Sequence, residues 1–295
     1  MIKKLLRSMT AAVLLGFICG CGGSGGTTFS ISEQNVESIA GQGIEAVGVL
    51  EGMSELIDGY VALIGTEQSE VIDCVTGNVI VTVNDVGPQG IMSTGDSVTI
   101  TFQACNIGLG IVFNGTISFS ALTVSGTPGG VFSRTLETNL DGFSVNAGGA
   151  SVVVNGRFTL HQSSTDGITV TSSVGGPSLT VFAQGGGEAF SGTISNFNLE
   201  SSLNSETDDY TVTLLATVTN SRIGGAVNFE TTTPFTGTGE AAPRAGTFVV
   251  SGPNGGTATL VALNETSVQI LLDGDGDEVI DATILTTWDI INGSD

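Results

Sequence analysis

Alternation of apolar and polar residues, repeated from Val71 to the end of the chain, is the feature that most constrains the fold. Alternation of this kind places every second side chain on the same face of a β-strand. Clusters of glycine and proline, such as Pro128-Gly129-Gly130, separate the alternating runs and are typical of turns. The sequence therefore predicts a mainly β domain folded as an antiparallel meander.

A glycine recurs inside four of the predicted strands, at Gly115, Gly156, Gly192 and Gly237. The first two follow an asparagine, and an Asn-Gly pair between apolar residues often forms a hairpin turn. Around each Asn-Gly pair, however, the apolar residues keep an even spacing across the glycine, which indicates one continuous strand with the glycine facing inward. Inward glycines let a sheet bend or let another element approach it. We therefore expect a strongly curved sheet or a barrel.

Two other β architectures share parts of this pattern. A propeller has repeats of about 40 residues, but the intervals between the four glycines are unequal. An outer-membrane barrel also has alternating strands, but it carries girdles of aromatic residues at both membrane interfaces. Beside its 14 Phe the chain has only two Tyr and one Trp. The curved sheet therefore remains the favoured prediction.

Residues 30–64 have a helical pattern instead. Ser30 and Glu33 fit a capping box at a helix start. The apolar residues that recur at helical spacing are Val36, Ala40, Val47, Leu50 and Ile57. Glycines weaken an isolated helix, so this helix needs a surface to pack against. Four of them keep near-helical spacing in this segment: Gly41, Gly48, Gly52 and Gly59. We expect one N-terminal helix that packs on the concave face of the β domain, residues 65–295, as a single unit.

The first 20 residues predict export from the cytoplasm. Lys3, Lys4 and Arg7 precede a short apolar run over residues 9–18, which is typical of a signal peptide. A run of about 10 residues is too short to span a membrane as a helix, which needs about 20. We therefore expect residues 1–20 to be removed from the mature protein.

The motif Ile18-Cys19-Gly20-Cys21 resembles the lipobox of bacterial lipoprotein precursors. The resemblance implies cleavage before Cys21, attachment of lipid, including palmitate, to that cysteine, and anchoring in a membrane of the cell envelope. The residue that follows the cysteine, Gly22, resembles the one at this position in lipoproteins that are sorted to the outer membrane. The resemblance implies a location on the periplasmic or outer face of that membrane. Residues 21–29 are glycine-rich and would form a flexible tether. The mature region resembles, in general style, the uncharacterised β-rich lipoproteins of proteobacteria. A signal peptide cleaved without lipid attachment is the alternative.

The charge of the mature chain excludes some partners. Beyond residue 20 there is no lysine, and four arginines stand against 29 acidic residues, a net charge of −25. Such a charge repels the phosphates of nucleic acids, so we expect no nucleic acid partner. The absence of lysine beyond residue 20 also excludes a mechanism that uses a lysine Schiff base or the lysine of a phosphate-binding loop.

Few residues of the mature chain suggest chemistry. The single histidine, His161, follows the outward phase of its strand, so we interpret it as a surface residue and expect no enzyme.

Cys74 and Cys105 are the only cysteines after Cys21. An even pair in an exported protein indicates a disulfide, with a metal-binding pair as the weaker alternative.

One acidic segment has the spacing of a calcium loop. Asp273, Asp275, Asp277 and Asp281 occupy positions 1, 3, 5 and 9 of a short segment, and alternate carboxylates of such a loop can turn toward one cation. Glu278 stands where an EF-hand has glycine, and the bidentate glutamate at the end is missing. We favour an acidic hairpin turn, with weak Ca²⁺ binding as an addition, and expect no other cofactor.

Two functions are consistent with these predictions. In the first, the protein is a membrane-anchored envelope lipoprotein with a non-catalytic structural or adhesive β domain, whose concave face is filled by residues 30–64. In the alternative, it is a periplasmic binding module that holds an acyl chain or another apolar ligand in a half-open β-barrel. The first is favoured because the apolar helix needs a place to be buried.

Overall fold

The computed structural model describes residues 30–61, 69–88, 91–108, 110–127, 129–185, 188–221 and 225–292. The predicted signal peptide, residues 1–20, the predicted tether, residues 21–29, and the end of the predicted helical segment, residues 62–64, lie outside these ranges. Those predictions therefore rest on the sequence alone.

In the described part of the chain, fourteen antiparallel strands form one sheet, and each strand pairs with its neighbours in the chain. The strands are β1 Glu70–Asp73, β2 Thr76–Asn84, β3 Ser97–Asn106, β4 Ile111–Gly126, β5 Phe132–Ala147, β6 Ala150–Ser164, β7 Thr169–Gly185, β8 Glu188–Asn204, β9 Asp209–Asn220, β10 Ala226–Thr238, β11 Ala245–Ser251, β12 Thr257–Ala262, β13 Ser267–Asp273 and β14 Ala282–Thr287. The predicted mainly β meander is confirmed. Strands β1 and β14 are the two edges, so the sheet is open and does not close into a barrel.

Helix α1, Val36–Val61, supplies much of the core. The predicted N-terminal helix is confirmed, but the predicted capping box is wrong, because the helix begins six residues after Ser30. Asn35 precedes its first residue, and the Asn35 side chain accepts a hydrogen bond from the Ser32 amide at 2.8 Å. Among the described residues, no helix is both long and apolar enough to cross a membrane.

Helix α1 is enclosed on most of its circumference rather than on one face. Val36, Leu50 and Ile57 of the predicted apolar stripe are fully buried. Of the side chains that the structure describes in this helix, only Ser38 is exposed. A strongly curved sheet explains this burial, because it surrounds the helix instead of covering one side. The concave face of the sheet and helix α1 therefore form a single hydrophobic core.

A short second helix, α2, spans Trp288–Ile291 after the last strand and packs on α1. A Cβ atom on Gly41 of α1 would lie 2.5 Å from the carbonyl oxygen of Ile291. Only glycine permits this approach of the two backbones. One of the glycines that weaken α1 as an isolated helix thus has a packing role in the folded protein.

The Asn-Gly repeats lie within continuous strands, as predicted, but their glycines mark β-bulges rather than a uniform pleat. Gly115 and Gly156 have φ values of 91° and 140°, so the backbone departs from ordinary strand geometry at both. Each pair faces a bulge in the preceding strand. The Asn114 side chain accepts from the Ala104 amide at 2.9 Å, and the Asn155 side chain accepts from the Gly142 amide at 2.6 Å. The asparagines therefore supply acceptors for amides that the bulges remove from the regular ladder.

One end of the sheet carries the start of helix α1, and we call it the tether end. Ile31 lies there against the β11–β12 and β13–β14 turns: Cβ atoms on Gly252 and Gly274 would lie 3.1 Å from Ile31 Cγ1 and 3.2 Å from Ile31 O. Because the strands form a meander, the turn after every odd-numbered strand lies at this end. The acidic segment is one of these turns.

Candidate functional site

The acidic segment forms the β13–β14 turn that the sequence predicts as a hairpin. Asp273 is its buried member, with 5% of its surface exposed. Its carboxylate accepts hydrogen bonds from the Gly276 amide at 2.7 Å and the Glu278 amide at 3.0 Å. Glu278, at the position where an EF-hand has glycine, has a φ of 68°. The turn is therefore held by its own carboxylates.

Three of the four predicted ligands come together in this turn. Carboxylate oxygens of Asp273, Asp275 and Asp281 lie within 4.8 Å of one another. Asp277 is not part of the group, and its side chain accepts from the Val279 amide at 2.8 Å. Three carboxylates at this separation can converge on a hard cation such as Ca²⁺, although Asp281 already accepts from the Gly274 amide at 2.8 Å.

Cys74 and Cys105 are paired in the structure, with their Cα atoms 5.3 Å apart, a separation that is ordinary for a disulfide. Cys105 is fully buried on β3, whereas Cys74 lies between β1 and β2. The bond therefore ties the edge hairpin of the sheet to the hydrophobic core.

His161 lies on the exposed side of β6, as its sequence phase predicts. Its Nδ1 atom is 3.0 Å from the Thr135 hydroxyl on the neighbouring strand. Among the described residues, no carboxylate forms a hydrogen bond with His161. A Ser-His-Asp catalytic triad requires both a hydroxyl and an acid beside the histidine, and in the described part of the chain His161 has only the hydroxyl.

Two residues that the sequence analysis did not single out form a polar pair inside the sheet. Arg134 and Gln162 are 9% and 4% exposed, and Arg134 Nε donates to Gln162 Oε1 at 2.8 Å. The guanidinium also lies 5.8 Å from the centre of the Phe132 ring. Arg134 occupies an inward position of β5, shared with Leu136. This inward position in the alternation of β5 is the sequence signal from which the burial of Arg134 could have been predicted.

The side chain of Tyr210 explains why the last of the four repeated glycines, Gly237, carries no side chain. A Cβ atom on Gly237 would lie 2.3 Å from the Tyr210 hydroxyl, and that hydroxyl donates to the Ala241 carbonyl at 2.8 Å. Burial raises the pKa of Tyr210, and the negative charges of Glu51 and Glu265 raise it further. The tyrosine therefore stays neutral and acts as a packing and hydrogen-bonding residue.

A groove on the outer face of the sheet was also not predicted from the sequence. It has a volume of about 540 Å³ and crosses strands β6 to β9 near the tether end. Phe182 of β7 lies in it and is 44% exposed, since it alternates with the buried Val181 and Ala183. Thr180, Ser191 and Thr193 also line the groove. An aromatic residue in an outward phase was the only sequence signal.

Comparison of the chain with protein-family models, curated proteins and solved structures finds no match. The functional argument therefore depends on the geometry of these residues.

Proposed function

We propose that this protein is a membrane-anchored envelope lipoprotein with a non-catalytic structural or adhesive β domain. The anchor is assigned from the lipobox-like motif, with Cys21 as the lipidated residue. The observation that supports the function of the domain is the helix inside its concave face. That face is the place where a carrier with a half-open barrel would hold its ligand.

The energy of helix burial favours this function over the carrier alternative. Leu50, Met53 and Ile57 of helix α1 are completely buried. Burial of each such side chain contributes about 1.5–3 kcal/mol relative to exposure. An acyl chain entering the concave face would have to expose several of them. The cost of exposing these side chains opposes the entry of a ligand into the concave face.

For the acidic turn we propose a structural role, with weak Ca²⁺ binding by Asp273, Asp275 and Asp281 as an addition. Hydrogen bonds within the turn support the structural role, because they form without an ion. The convergence of three carboxylates supports the weak binding. No nucleic acid partner is proposed, because the net charge of −25 that the chain carries beyond residue 20 repels phosphates. No other cofactor is proposed.

The location is proposed to be the outer membrane, on its periplasmic face or at the cell surface. Residues 22–29 separate the proposed anchor from the first described residue. The nine residue-to-residue steps from Cys21 to Ser30 span at most about 32 Å when extended. The lipid would therefore hold the tether end of the sheet close to the membrane.

Fractionation of a bacterium expressing the full chain tests the anchor. Cys21→Ser should release the protein into the soluble envelope fraction, because the lipidated side chain is lost. Cys19→Ser is the matched control and should leave the protein in the membrane fraction. Release by Cys19→Ser but not by Cys21→Ser would move the anchor to the other cysteine, and membrane retention of both variants would overturn the proposal.

A further inference from the structure

The groove around Phe182 consists of two adjacent rows of side chains on the outer face. In the first row, Thr180 of β7 pairs with Asn155 of β6 and with Thr193 of β8, and Thr193 pairs with Thr219 of β9. In the second row, Phe182 pairs with Ser191. Neighbouring strands are about 4.8 Å apart, so the hydroxyls follow one another at that interval beside the exposed ring.

The hydroxyl groups of this first row differ in what they can offer a ligand. The Thr180 hydroxyl donates to the Asn155 carbonyl at 3.4 Å, so it can only accept a further hydrogen bond. Within the described part of the chain, neither the Thr193 nor the Thr219 hydroxyl has a hydrogen-bond partner. Each can donate one hydrogen bond and accept others. In contrast, the side-chain oxygen of Asn155 already accepts a hydrogen bond from the Gly142 amide. This hydrogen bond holds the Asn155 side chain in place at its side of the groove.

The side chains that the structure describes along the groove carry no charge, although the protein is strongly acidic. The side chains lining it are aromatic, aliphatic, hydroxyl or amide groups. Such a lining provides neither the cations that recognise phosphate or carboxylate nor the carboxylates that attract a cationic peptide. It provides one apolar ring beside several groups that both donate and accept hydrogen bonds.

We propose that this groove binds a neutral saccharide. A pyranose ring has a face of C–H groups, which can stack on the Phe182 ring, and an edge of hydroxyls, which can pair with Thr180, Thr193 and Thr219. The groove volume is within the usual range of small-ligand sites. This proposal rests on the adhesive form of the proposed function and gives it a ligand class.

The test is a titration of the purified mature chain, made soluble by Cys21→Ser, with cellohexaose, mannohexaose and chitohexaose. Binding is followed by NMR and by calorimetry. At least one of the three neutral sugars should bind saturably, and Phe182→Ala should weaken that binding at least tenfold. Phe182→Tyr, which keeps the ring, should bind within threefold of the parent chain.

Two further variants separate the groove from a general surface effect. Leu122→Ala removes a side chain of similar exposure, 46%, on β4 and should leave binding unchanged. Thr193→Val keeps the shape but removes the hydroxyl, and should weaken binding about threefold or more. Thermal unfolding of each variant checks that the domain is folded.

Absence of binding for all three sugars would overturn the proposal, and so would binding that is equal in the parent chain and in folded Phe182→Ala. Preference for an anionic oligogalacturonate over the neutral sugars would also overturn it. Because the titration uses soluble protein, its failure is distinguishable from failure of the anchor, which only fractionation tests.

Discussion

Gly156 should tolerate neither valine nor asparagine, because two separate effects oppose any side chain there. Its φ of 140° lies in a region that only glycine adopts readily, and strain of this kind costs about 1–3 kcal/mol. A Cβ atom would also lie 2.5 Å from the carbonyl oxygen of Ser178 and 3.0 Å from the Cα atom of Leu179. Moving a packed backbone typically costs about 1–3 kcal/mol more.

The two costs together give a loss of about 2–6 kcal/mol for Gly156→Val and for Gly156→Asn. In a domain of this size, each kcal/mol shifts the melting temperature by roughly 2–4 °C. Thermal unfolding of the purified mature chain, followed by circular dichroism, should therefore show a decrease of about 5–20 °C for both variants.

Gly142→Asn is the matched control for this prediction. Gly142 has a φ of 57°, which asparagine accepts at little cost, and a Cβ atom there would have no heavy atom within 4 Å. This variant should lose less than about 1 kcal/mol. If Gly156→Asn melts close to the parent chain while Gly156→Val does not, the site is an open turn and the bulged strand described above is wrong.

Two further predictions concern the disulfide and the acidic turn. Replacing both Cys74 and Cys105 with alanine should lower the free energy of unfolding by roughly 3–4 kcal/mol, because the bond closes a loop of about 30 residues; free thiols on both in the oxidised, denatured protein would contradict the pairing. For a Kd of about 1 mM, 10 mM Ca²⁺ should stabilise the chain by about 1.4 kcal/mol. Asp275→Asn should abolish this effect while Asp277→Asn keeps it, and an equal response of the two variants would exclude the site.

The strands and their order could be predicted from the sequence because alternation has a period of two. Ile117 and Phe119 keep the inward phase across Gly115, and both are buried. The bulges could not be predicted in the same way. The amide that Asn114 satisfies belongs to Ala104, on the neighbouring strand, and alternation within one strand contains no information about that partner.

The helix was predicted only in part. Its spacing indicated one apolar stripe, but of the side chains that the structure describes in the helix only Ser38 is exposed, because the extent of burial depends on how far the sheet curves. The groove was missed for a related reason. Phe182 is out of phase with its apolar neighbours, but the hydroxyls of Thr193 and Thr219 beside it come from other strands, and their position depends on the register of those strands.

The central claim is that the concave face is filled by the helix of the chain itself. Hydrogen–deuterium exchange of the purified mature chain, followed by mass spectrometry, tests this claim most directly, because a buried helix exchanges only when the structure around it opens. Amides of residues 40–57 should be as strongly protected as those of the central strands, and addition of an acyl-chain probe such as palmitate should not change their exchange. Rapid exchange of the helix while the strands stay protected, or its release by the probe, would show that the concave face is open to a ligand and would contradict the account.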